Sequence, residues 1–273
     1  MSDWSAEGAK IPLVTLGEPG AVFAELALDM VAAVEANNAA GRPTVLILPV
    51  GPTGQYPYFV RLVARRGLSL KHCWFINMDE YLGADGEWLP VTHPLSFRGF
   101  MASAVYDRLP AALVMPPDQR VFPDPGDLGR IPRLIADLGG VDLCVAGLGL
   151  NGHLAFNEPR PDLSPEDCAR LPTRTLELTE CSRTVGAITS LAGDLDRMPT
   201  RCVTVGMAEI LGAARIRVGC FRDWHGAAIR RAAYGTVSAA FSATLLQRHP
   251  DAVIYASANA VGDPPGGTPN RKK

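Results

Sequence analysis

A chain of 273 residues with 47% hydrophobic and 20% charged residues can bury a large core, and one large domain is expected of it rather than a small stapled scaffold. A net charge of −2 provides no basic field, which argues against a nucleic-acid or membrane-surface partner. The six cysteines (Cys73, Cys144, Cys168, Cys181, Cys202 and Cys220) are scattered, without a C-x-x-C pair or a histidine at zinc-ligand spacing, so they read as free thiols of a reducing compartment and predict no metal site.

The N-terminus lacks a basic stretch followed by an apolar one, and no uninterrupted apolar run has bilayer length, which predicts a cytoplasmic protein off the membrane. Residues 1–10 read as loose. Val22, Leu26, Met30, Ala33 and Val34 recur at helical spacing between Pro19 and Asn38, the first amphipathic helix. Thr44 to Val50 is a buried strand. Gly51-Pro52-Thr53-Gly54 then turns into a second helix ending near Gly67, and the turn with the helix N-terminus makes a candidate anion site. The strand Cys73 to Met78 ends in Asp79-Glu80-Tyr81, and two acids at the end of an apolar strand are costly there unless they act on something.

Leu95 to Leu109 and Leu128 to Leu138 read as helices, with a proline-rich connection between them. Residues 161–183 show little periodicity and read as an irregular lid or rim. Further strands are expected over 201–206, 215–221 and 252–256, and helices over 207–211, 224–233 and 238–249; the tail from 262 reads as disordered. The alternation predicts a single α/β domain over 1–261, a three-layer α/β/α, Rossmann-like fold with a mostly parallel sheet and helices on both faces.

The densest signal lies from Val141 to Pro159. Leu143 to Ala146 is an apolar run of the kind buried on both faces of a parallel sheet. Gly147, Gly149 and Gly152 follow and permit tight turning, and the stretch then delivers His153 and Glu158 where ligands of open α/β sheets sit.

Five segments resemble the glucosamine-6-phosphate deaminase/isomerase family, whose relatives include the 6-phosphogluconolactonases. They are Leu48-Pro49 with Gly51 and Thr53, Asn77 to Gly83, His93-Pro94 with Ser96 and Phe100-Met101, Gly147 to Pro159, and Thr204-Val205-Gly206. The resemblance implies a cofactor-free enzyme that opens a sugar ring and moves a proton between neighbouring carbons. Asp79 would be the carboxylate base, His153 the ring-opening acid/base, and Glu158 the group that orients His153. Gly51, Thr53, Glu80, Gly149, Gly152, Arg183 and His225 are the substrate-binding candidates, with Arg222 a further tail contact. The resemblance leaves a homo-oligomer open.

Three positions depart from the family. Asn151, a catalytic candidate by its position, stands where it has an aspartate, Pro52 where it has a glycine and His225 where it has its phosphate-binding lysine, while Arg183 is the nearest counterpart of its phosphate-binding arginine. The region Arg174 to Glu177 matches the family's allosteric site poorly, so no such activation is expected. These changes leave Asp79, His153 and Glu158 in place, which predicts retained proton transfer on an altered substrate: another sugar phosphate, a sulfonated sugar or a neutral amino sugar. A lactone hydrolase and a non-catalytic sugar sensor are the competing readings.

Overall fold

The structure, a computed structural model, describes residues 8–261. Strand β1 (Leu13–Leu16) leads into helix α1 (Pro19–Ala39), with Pro19 in the first turn, where its missing N–H is not needed. Strand β2 (Thr44–Leu48) is buried along its whole length; helix α2 (Gln55–Arg66) follows and stops on Gly67, whose left-handed conformation is the usual helix terminator. Next come β3 (Cys73–Asn77), β4 (Asp79–Leu82), α3 (Phe97–Ala104), β5 (Arg120–Val121), α4 (Arg130–Asp137) and the central β6 (Leu143–Gly147). The second half supplies α5 (Pro165–Ala169), β7 (Arg174–Glu177), α6 (Glu180–Ser190), β8 (Arg201–Thr204), α7 (Met207–Leu211), β9 (Ile216–Cys220), α8 (His225–Tyr234), β10 (Ala252–Ser257) and α9 (Ala258–Val261).

Seven strands pair in parallel in the order β1-β10-β9-β6-β2-β3-β5. Side chains alternate across this sheet as the strand period demands. Leu46, Leu48, Phe75, Leu143 and Val145 pack on one side against Leu26 and Met30 of α1 and Phe59 and Val63 of α2. Val45, Ile47, Ile76, Cys144 and Ala146 pack on the other side against α4, α7 and α8 through Ile131, Ile210 and Ile229. Each large aliphatic side chain so buried stabilises the fold by about 1.5–3 kcal/mol, and the two faces together make the expected three layers.

From β2 the chain builds outward through β3 and β5, then returns to place β6 on the other side of β2. The strand order therefore reverses between β2 and β6, where a ligand crevice is expected beyond the carboxyl ends. The two loops there meet closely: a Cβ on Gly147 would come within 2.4 Å of the Gly51 carbonyl oxygen, so only glycine lets them approach.

The sequence reading needs four corrections. Asp79 to Leu82, read above as the end of the Cys73–Met78 strand, is a strand of its own, because β4 pairs antiparallel with β8 in a separate sheet of order β4-β8-β7. Residues 161–183, expected to be irregular, contain α5, β7 and the start of α6, elements too short to show periodicity. Residues 242–248 form a 3-10 helix rather than an α-helix, and β1 was not anticipated. Residues 1–7 and the tail from 262, read above as loose and disordered, lie outside the described residues. No described helix is long and apolar enough to cross a membrane.

Candidate active site

A cavity of about 380 Å³ opens at the strand reversal, lined by the loops after β2, β6 and β9, by Asp79, by the start of α3 and by one side of α6. Asp79 opens β4 opposite Thr204 of β8, a register that brings the two side chains together across the strands. Its Oδ1 accepts from the Phe156 amide at 3.1 Å and from the Thr204 hydroxyl, while Oδ2 has no partner among the described residues. Burial pushes the Asp79 carboxyl up to about 7, against the lowering effect of the Thr204 and Phe156 donors and of His153. One oxygen is thus held and the other is left for chemistry, in a group whose pKa suits a base at neutral pH.

His153 hangs from the turn after β6. The turn is closed by Gly152 N–H donating to the Gly149 carbonyl and Gly149 N–H donating to the His153 carbonyl, both at 2.9 Å. Gly152 has φ +87, the left-handed region that glycine tolerates, and a Cβ on Gly149 would come within 2.4 Å of the imidazole. Gly149 lines the cavity; Gly152 does not, and a Cβ there would meet the Phe241 ring. These two glycines shape the turn that presents His153.

Nδ1 of His153 lies 3.2 Å from the Ser182 hydroxyl and 3.7 Å from Glu158 Oε2, the latter an electrostatic contact rather than a hydrogen bond. Glu158 is fixed from other directions. Asn151 Nδ2 donates to Oε2 at 2.7 Å, the Thr179 hydroxyl donates to Oε2 at 3.1 Å and the Thr179 amide donates to Oε1 at 3.3 Å. Burial alone would raise the Glu158 pKa, but His153 together with Ser182 and Asn151 outweighs it and holds the carboxyl down at about 2. Asn151 therefore orients Glu158 and, through Oδ1, accepts from the His153 amide at 3.3 Å. An aspartate at 151 would set a second carboxylate against Glu158 and raise the pKa of one of the two.

The low Glu158 pKa has a measurable consequence. A free glutamate titrates near about 4.3, so the folded state binds fewer protons than the unfolded chain between about 4.3 and 2, and the resulting stabilisation is lost as pH falls through that window. Unfolding free energies of the native protein and Glu158→Gln, from denaturant titration, should differ by about 2 kcal/mol more at pH 5 than near pH 2. A pH-independent difference would contradict the assignment.

The other candidates separate. Glu80 is fully buried and does not line the cavity. Its Oε1 accepts from the Tyr81 and Phe97 amides, and its Oε2 from the Ser96 hydroxyl and the Arg98 amide, all at 3.0 Å. It holds the start of α3, and its place among the substrate contacts is corrected. Arg183 also lies outside the lining; its guanidinium donates to the Leu195 and Met198 carbonyls, at 3.2 and 3.4 Å. Gly51, Thr53, Arg222 and His225 do line the cavity.

Thr204, Thr179 and Ser182 were not among the sequence candidates. Thr179 caps α6 by accepting from the Ser182 amide, a Thr-before-helix signal present in the sequence. Thr204 lies in one of the family-like segments, but its contact with Asp79 becomes visible only through the β4–β8 register. Among the described residues, no group of three or more His, Cys, Asp or Glu could hold a metal ion.

A glucosamine-6-phosphate deaminase of Porphyromonas gingivalis is 31% identical over 243 residues, covering 86% of this chain and 87% of the relative. One of Bacillus velezensis is 31% identical over 237 residues, covering 86% and 94%. Among solved structures, a monomeric glucosamine-6-phosphate deaminase matches with a TM-score of 0.80 at 23% identity, over 92% of this chain and 98% of that one. A 6-phosphogluconolactonase from Trypanosoma brucei matches with a TM-score of 0.65 at 17% identity, over 92% and 98%. No family profile matches the chain. With the parallel sheet and the reversal-point cavity already described, the identity to these relatives shows that the chain belongs to the glucosamine-6-phosphate deaminase family of sugar deaminase/isomerase enzymes.

Proposed function

We propose that this chain converts a 2-amino sugar to the corresponding ketose and ammonia by ring opening followed by proton transfer between carbons 2 and 1. The observation that carries the reading is Asp79: a buried carboxylate with one oxygen fixed by Thr204 and Phe156, the other free, and a pKa of about 7, in the same cavity as His153, which Glu158 and Asn151 support from outside the lining. His153, beside the carboxylate of Glu158, transfers the proton between ring oxygen and anomeric hydroxyl that opens the pyranose to the aldehyde. Asp79 then removes the proton from carbon 2 to leave an enolamine and returns a proton to carbon 1. The resulting ketose iminium adds water and expels ammonia. The buried setting supports the middle step, because a desolvated carboxylate near neutrality is a stronger base than one in water.

The closest competing chemistry, lactone hydrolysis as in the lactonases of similar fold, would leave the held carboxylate of Asp79 without a task. Incubation with amino sugars in deuterated water tests the reading. Ammonia release with deuterium at carbon 1 of the ketose is expected. Lactone hydrolysis with no carbon-bound deuterium from any amino sugar would overturn it.

A further inference from the structure

The far end of the cavity is built from the loop after β9. β9 pairs with β6, Gly147 standing opposite Gly219, so this loop and the turn carrying His153 bound one cavity together with Asp79. A sugar with carbons 1 and 2 at Asp79 and its ring oxygen at His153 can direct its tail to this end.

The groups at this end are committed inward. His225 is 3% exposed, and both ring nitrogens are satisfied by the backbone. Nδ1 accepts from the Phe221 amide at 3.1 Å and the Arg222 amide at 2.9 Å, which leaves Nε2 as the protonated nitrogen, donating to the Leu148 carbonyl at 3.1 Å. Burial pushes the His225 pKa down to about 4, so the ring carries no charge at neutral pH. The imidazole also occupies the two N–H groups that the turn could otherwise present to an anion.

On the β2 side, Pro52 has no N–H to offer. Among the described residues, Arg222 is the one lysine or arginine that lines the cavity, and it is exposed to solvent, its guanidinium 5.3 Å from the Phe221 ring centroid. A single solvated charge holds an anion weakly. The side chains that remain at this end are the Thr53 hydroxyl and the aromatic faces of Phe221 and Trp224, which suit a sugar hydroxyl and its C–H surface. Among the described residues, the candidate anion site at the turn before α2 keeps only backbone N–H groups, with no cationic side chain beside them.

We infer that His225 is a specificity-determining residue that makes the tail subsite neutral, so that the enzyme acts on an amino sugar without requiring a phosphate on it. This rests on the deaminase reading of Asp79 and His153, and the test separates the two. Ammonia release is measured with glucosamine and with glucosamine 6-phosphate, using the native protein and His225→Lys. The native protein should turn over glucosamine with kcat/KM at least equal to that for the phosphorylated sugar. His225→Lys should shift the ratio of the two kcat/KM values toward the phosphate by about tenfold or more, as expected of a new charge-assisted contact. Preference of the native protein for glucosamine 6-phosphate by about tenfold or more would overturn the inference and leave the deaminase reading standing; the native measurement decides this even if the variant does not fold. No ammonia from either sugar would remove both.

Discussion

Asp79→Asn should lower kcat by about 10²–10⁴-fold, the usual worth of a positioned proton-transfer group, and should at the same time make the folded protein more stable above pH 7. Asparagine can still accept from Thr204 and Phe156 through its amide oxygen, so the local hydrogen bonds survive while the base is gone. The stability effect follows from the raised pKa. A free aspartate titrates near about 3.9, and Asp79 in the folded state at about 7, so between these values the native state holds a proton that the unfolded chain has released. Native stability therefore falls as pH rises through this window and stays reduced above it. At about 1.4 kcal/mol per unit the loss is about 4 kcal/mol, and the variant escapes it. Denaturation at pH 4 and pH 8 should show the advantage of Asp79→Asn growing by that order. An advantage that does not change with pH, or undiminished turnover, would refute the role assigned to Asp79.

The adjacent acid predicts an effect of a different kind. Glu80→Ala should destabilise the protein by about 3–5 kcal/mol, because it removes the one acceptor for buried donors of Tyr81, Ser96, Phe97 and Arg98 and leaves the Arg98 charge unpaired. Ser96 and Phe97 line the cavity, so KM should rise as α3 loosens, while the base itself is untouched. Urea denaturation followed by fluorescence measures the first effect and substrate titration the second. A variant as stable as the native protein would show that Glu80 does not anchor α3.

This pair shows how far the sequence could be read. Asp79 and Glu80 are neighbours in a strand, and neighbours in a strand face opposite ways. Read as the end of the preceding strand, the two acids were both placed at the substrate; in β4, one serves the cavity and the other serves the helix behind it. The parallel core was legible because Thr44 to Leu48 and Leu143 to Ala146 are continuous apolar runs, which only a doubly covered sheet needs. The glycine-rich turn carrying His153 was legible because a turn, an imidazole and a carboxylate lie within one short stretch. The place of His225 at the cavity was legible, but its bonding was not: its partners, the amides of Phe221 and Arg222, are local, but their direction toward its ring is fixed by how α8 docks, which no spacing reports. The roles of Thr204 and Ser182 depend on β8 pairing with β4 and on α6 reaching the cavity, and both elements lie in or beyond the region that showed little periodicity.

The contact between Asp79 and Thr204 joins positions separated by 125 residues. Closing so long a stretch of chain requires most of the intervening structure to be in place first, since long-range pairings are rewarded only after the entropy of closure has been spent. Renatured protein should therefore regain its α1–β2–α2 layer, whose contacts are near in sequence, before it regains any turnover. No fragment ending before β8 can complete the proton-transfer group, so enzymatic activity reports the assembly of the whole domain in a way that helix content does not.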